Sequence, residues 1–145
     1  MHEEMIEKAK IVMADTFKFY LKAQNYHWNV QGIHFLQFHD LFGKIYEEVF
    51  GSIDTIAEEI RAMGTQVPGS FGRFNELSRI EDEREELDVT TMLRRLYHDN
   101  LTVLDNLKVA YDASEAAGNH GFSNLMAERM SAHRKHGWML RASLA

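Results

Sequence analysis

Apolar residues recur at spacings of three and four along most of this chain, and little interrupts them. Its 145 residues include one proline and nine glycines, too few turn formers for an all-β fold. There is no cysteine, which excludes a disulfide scaffold, a thiolate zinc site, an iron–sulfur cluster and a thiol nucleophile. The length suits a single domain, residues 1–145, able to bury roughly two thirds of its unfolded surface without a staple.

The pattern predicts four long helices. Residues 3–28 place Met5, Ile6, Ala9, Val12, Met13, Thr16, Phe17, Tyr20, Leu21 and Gln24 on one face. A second helix runs from Leu36 to Met63 and stops at Gly64, a residue suited to ending a helix. Residues 64–72 read as a loop, with a helical turn expected near 74–77 before a charge-rich stretch. Val89–Ala117 and Phe122–Leu144 give the third and fourth long helices, joined tightly through residues 118–121. The expectation is an all-α four-helix bundle, with its one long connection between helices two and three.

The second helix carries two stripes. Phe38, Phe42, Ile45, Val49, Ile53, Ile56 and Ile60 project to one side and form the core face. His39, Gly43, Glu47, Phe50, Asp54 and Glu58 project roughly 130° away. Phe50 and Gly43 make this an unusual solvated face; it reads as a surface that meets something. His39 and Asp54 lie 15 positions apart, about 22 Å along one helix, whereas metal–ligand bonds are about 2 Å. One helix therefore cannot bring both to one ion. A second copy packed antiparallel about a two-fold axis sets His39 of one subunit opposite Asp54 and Glu58 of the other. Glu-x-x-His, the signature of a di-iron site inside one bundle, does not occur.

The segments Asn25-Tyr-His-Trp-Asn-Val-Gln-Gly32, Phe38-His39, Ile53-Asp-Thr-Ile-Ala-Glu-Glu-Ile-Arg-Ala-Met-Gly64 and His136-Gly-Trp-Met-Leu-Arg-Ala-Ser-Leu144 resemble the Dps family, the miniferritins or DNA-protection-during-starvation proteins. The likeness extends from about Ile6 to Leu144. It implies a ferritin-like four-helix bundle with a short helix in the connection between helices two and three. It implies a homo-oligomer, a hollow dodecamer built from two-fold dimers. It further implies oxidation of Fe(II), preferably by hydrogen peroxide, with ferric mineral stored inside and no organic cofactor. By position, His27 and His39 of one subunit with Asp54 and Glu58 of its mate form the ferroxidase site, and Glu47 is a further candidate metal ligand.

The sequence departs from the family pattern in three places. Gly43 stands where the family usually has an acid, one turn after the second histidine; the expectation is free space there and weaker iron binding. The space is expected to be filled by Glu47, by water, or by Phe50 or Trp28 of the partner. The alternative function that follows is a structural or metal-binding shell whose ferroxidase activity is weakened or lost. Asn119 and Asn124 fall where the family's pore acids are common, leaving Glu128 and Glu115 for iron entry. Finally, no lysine-rich tail is present, and twelve subunits at −6 each would carry about −72, a surface that repels phosphate. DNA binding is therefore not expected.

With an acidic start and no apolar run near the ~20 residues of a membrane span, the expected location is the cytoplasm, with no membrane partner. His34, His98, His120, His133 and His136 are assigned no metal. His133 and His136 are expected at the surface or capping the last helix. Trp28 is expected to pack at an interface.

Overall fold

Sparse turn residues and strong helix ends decide where each element begins and stops. The computed structural model describes residues 1–145 as five helices and no strand: α1 (His2–Asn29), α2 (Phe35–Ala62), α3 (Phe71–Leu77), α4 (Val89–Ala116) and α5 (His120–Leu144). Gly64 and Gly118 follow α2 and α4 with φ of 94° and 75°, left-handed values that glycine adopts without strain. The Asp88 side chain caps α4 by accepting from Thr91 N at 2.8 Å, and Asn119 caps α5 by accepting from Phe122 N at 3.0 Å. Two boundaries differ from expectation for this reason. Ser70 caps α3 by accepting from Arg73 N, so the short helix begins at Phe71 rather than near Phe74. The Asn119 cap starts α5 at His120 rather than Phe122.

The long helices form a four-helix bundle in which α1 packs against α2, α3 and α4, and α4 packs against α5. Because α1 has neighbours on several sides, its buried arc is wider than one stripe. Phe19, Ala23 and Tyr26 are fully buried although they lie off the single face that the spacing picks out, while Leu21 is 39% exposed. The α2–α4 connection is strapped to α1 and α4 by polar contacts. Asp15, fully buried, accepts from Ser78 Oγ and Asn106 Nδ2, each at 2.6 Å. Tyr26 donates to Glu83 at 2.6 Å, and Arg95 pairs with the same carboxylate. No helix is long and apolar enough to cross a membrane.

Where α5 faces α2 and α4, its core stripe is polar in the middle. Phe122, Met126, Arg129, His133, His136 and Leu140 share that stripe. His133 and His136 are thus buried, 0% and 4% exposed, not at the surface or a helix end as expected. Arg129 grips both oxygens of Glu48 from α2, and His136 Nε2 donates to Glu48 at 2.7 Å. The Asn100 amide on α4 donates to the His133 carbonyl at 2.8 Å, leaving its oxygen to accept from His133 Nδ1–H at 2.8 Å. That tautomer places a lone pair on His133 Nε2, which faces Arg129 Nη2 at 3.4 Å. Burial, then the charge of Arg129, holds the His133 pKa well below its usual value. Burial alone would raise Glu48, but hydrogen bonds from His136 and Arg129 outweigh it and hold the carboxyl well below the usual range.

A pH dependence follows. Below about pH 6.5 the unfolded chain protonates this histidine while the folded chain refuses the proton. His133 therefore contributes a loss of stability with falling pH, by up to about 1.4 kcal/mol per unit, opposed by Asp15 and Asp99, whose burial raises their pKa. Glu48 adds its own loss only below the ordinary carboxylate range, near pH 4.5. Between pH 7 and 5 the wild type is expected to lose Tm relative to His133→Gln as the pH falls, measured by thermal unfolding of both. An equal slope in that variant would mean other groups carry the effect.

Candidate metal centre

The turn at residues 30–34 folds α2 back along α1 and brings His27, near the end of α1, level with His39, near the start of α2. The two imidazoles stack, with ring centroids 3.8 Å apart and planes inclined by 16°. Each ring is held by the other residue's backbone: His27 Nδ1 lies 2.6 Å from His39 O, and His39 Nδ1 lies 2.6 Å from His27 O. A carbonyl only accepts, so both Nδ1 atoms carry a hydrogen, and in the neutral tautomer that this selects the lone pair is on Nε2. Neither Nε2 has a partner in the chain, and neither is sealed from solvent. In that neutral tautomer the two imidazoles present open Nε2 atoms, a ready pair of ligands for a divalent transition metal.

Aromatic rings continue the stack. Phe35 lies against His39 at 4.9 Å, and Tyr46 lies 5.2 Å from His27. Neither residue is among the site candidates that the stripe on α2 yields. Their spacing on α2, one turn before His39 and one turn beyond Gly43, is the signal that points to them.

Asp54, Glu58 and Glu47 lie further along the same helix, all exposed. Glu47 makes no hydrogen bond to either imidazole, and His34 stands exposed at the α2 N-terminus. No three histidine, aspartate or glutamate side chains of one chain converge on a metal-sized point. Large apolar side chains are open on this side: Trp28 is 61% exposed, Leu36 78% and Phe50 56%. The face joins imidazole nitrogens at one end, carboxylates at the other and bare aromatic surface between, a composition fitted to burial against a second chain.

The Ferritin-like domain family model matches residues 6–145. The DNA protection during starvation protein of Brevibacillus brevis is 29% identical over 132 residues, covering 91% of this chain and 89% of that one. Among solved structures, a Dps protein from Bacillus brevis superposes with a TM-score of 0.94 at 26% identity, over 99% of this chain and 97% of that one. The chain belongs to the Dps family. A further structure, TM-score 0.94 at 25% identity over 99% of this chain and 91% of its own, is the Dps protein of Vibrio cholerae O1, described as a member of a broad superfamily of ferritin-like diiron-carboxylate proteins.

Within that family frame, position 43 is not the open space expected. The His27 ring of the same chain fills it: a Cβ on Gly43 would stand 3.0 Å from both Cε1 and Nδ1 of that ring. Asn119, expected at a pore lining, has the local task of capping α5. Glu115 is engaged by His120 at 3.0 Å and by Ser123 Oγ at 2.9 Å, whereas Glu128 is exposed.

Proposed function

We propose that the protein is an iron-sequestering miniferritin. It oxidises Fe(II), preferably with hydrogen peroxide, at sites shared across a two-fold interface, and holds the ferric product inside a dodecameric shell. Family membership supports iron storage and protection in general. The observation that carries the finer reading is the His27–His39 pair: two lone pairs fixed toward open space, on a face whose carboxylates lie too far along α2 to join them within one chain. An antiparallel second copy supplies Asp54 and Glu58, giving each site two imidazoles and two carboxylates.

That donor set suits the substrate. Imidazole nitrogens bind Fe(II) as neutral ligands, and carboxylates offset the extra positive charge of the ferric product. One peroxide accepts two electrons, so two Fe(II) and two protons give two Fe(III) and two waters without releasing hydroxyl radical. Protection is then chemical and requires no contact with DNA, consistent with the net charge of −6 per chain.

The test is anaerobic Fe(II) loading of the assembled protein followed by a peroxide pulse. Rapid ferric formation at about one peroxide per two Fe(II), with soluble iron retained, is the expected result. Both His39→Ala and Asp54→Ala are expected to reduce the rate to that in buffer, roughly a hundredfold or more, since losing a group that merely orients a metal ligand already costs 10–100-fold. One observation favours a second reading: His27, not a carboxylate, fills the space at Gly43, so no oxygen donor adjoins the imidazole pair. An intact wild-type shell that oxidises iron no faster than buffer would establish that reading, a metal-binding shell with little ferroxidase activity.

A further inference from the structure

The two helices that carry the imidazole pair share an apolar hollow further along. Met13 and Phe17 of α1, Ile53 of α2, and Phe71 and Phe74 of α3 line a cavity of about 310 Å³. Phe17 stacks on Phe74 at 4.8 Å and meets Phe71 edge-on at 6.3 Å, so the walls offer both faces and edges of rings. The cavity is open, and Phe71 is 69% exposed. Ser70 is the one polar side chain at its lining; the hydroxyl oxygen accepts from Arg73 N and keeps a second lone pair. A flat aromatic side chain with a single N–H suits such a hollow.

The chain leaves one such side chain uncovered. Trp28, 61% exposed, follows His27, whose ring rests against Gly43. Gly43 and Ile53 are ten residues apart on α2, about 15 Å, so Trp28 does not lie beside the cavity of its own chain. A two-fold axis removes that separation. Pairing His39 with the midpoint of Asp54 and Glu58 of the partner subunit sets Gly43 opposite Ser52 of the partner subunit, one position from Ile53. Other uncovered side chains fall out of register. Leu36 comes opposite Glu59 of the partner subunit, and Phe50 opposite Ile45 of the partner subunit.

We propose that the cavity beneath α3 is a socket for Trp28 of the partner subunit. The inference rests on the shared metal site of the preceding section and deepens it. Each dimer then holds two sockets, each beside the carboxylate end of α2, and they fix the register at which imidazoles meet carboxylates.

Two readouts test this without metal. The chain has two tryptophans, so Trp138→Phe leaves Trp28 as the sole fluorophore. In assemblies confirmed intact by size, its emission is expected to be blue-shifted, and acrylamide quenching several-fold weaker than for free tryptophan. Phe71→Ala removes a wall of the socket and is expected to shift both back toward solvent values. A freely quenched Trp28 in an intact assembly overturns the socket, and so does a protected Trp28 that Phe71→Ala leaves unchanged. The second readout is dissociation of the two-fold dimer on dilution, with helix content as the control for folding. A Cβ at Gly69, which also lines the cavity, meets nothing within its own chain, so Gly69→Leu fills the socket without an internal clash. Gly69→Leu and Trp28→Ala are each expected to weaken the dimer roughly tenfold or more, and the double variant no further than the weaker single one. Losses that add overturn the pairing of Trp28 with this cavity. A wild-type chain that stays monomeric overturns the shared site itself.

Discussion

Glu48→Ala is expected to lower stability by roughly 3 kcal/mol, the low end for breaking a buried ion pair, and to lower Tm by about 10 °C at fixed protein concentration. The reason is the charge left behind. Arg129 has a side chain only 8% exposed, and Glu48 supplies both of its carboxylate contacts. Its Nε is already buried without a partner. Without Glu48 the guanidinium keeps only the Nε2 of His133, at 3.4 Å, while His136 loses the acceptor for its Nε2–H. Arg129→Ala is expected to cost less, because the Glu48 side chain is 40% exposed and its carboxylate can turn to water. The order matters more than either magnitude. Thermal unfolding of both variants checks it: equal losses, or a larger loss for Arg129→Ala, would show that the network acts through packing rather than through the buried cation.

This network also marks where the sequence stops being legible. The helices are readable because their period, their sparse interruptions and the glycines at 64 and 118 are local signals, and local signals decide where a helix runs. The core face of α2 is readable for the same reason. The imidazoles of α5 are not. As an isolated pair three residues apart, His133 and His136 suggest a surface role, because their partners are remote: Asn100 lies 33 positions from His133 and Glu48 lies 88 from His136. A signal does exist. Arg129, His133 and His136 continue the stripe of Phe122, Met126 and Leu140, and polar residues on an apolar stripe must find partners from another helix. On α1 the failure has a different cause: a helix with neighbours on several sides buries more than one stripe, which hides Phe19 and Ala23. At the candidate site, the distance along α2 by itself separates histidines from carboxylates. What spacing cannot give is the reciprocal backbone bonding that fixes both ring tautomers, or the seat of the His27 ring against Gly43, since both arise where α1 meets α2 across the turn.

The proposed shared site makes a sharper prediction than loss of activity, because in that arrangement each subunit lends its histidine end to one site and its carboxylate end to another. In a dimer of one His39→Ala chain and one Asp54→Ala chain, one site receives both substitutions and the other receives neither. Shells of either variant alone are expected to be inactive, whereas co-expressed variants that pair at random are expected to regain about one quarter of wild-type sites, since half the dimers are mixed and each holds one intact site. Peroxide-driven ferric formation per subunit, with the composition of the mixed shells measured by mass, checks the result. Mixed shells as inactive as their parents would place His39 and Asp54 in the same functional unit of one chain. Such a unit would require α2 to bend its ends together, against its continuous helix from Phe35 to Ala62. Recovery in mixed shells also separates ligand loss from misfolding: a chain that rescues its partner must be folded well enough to present its intact end of the interface.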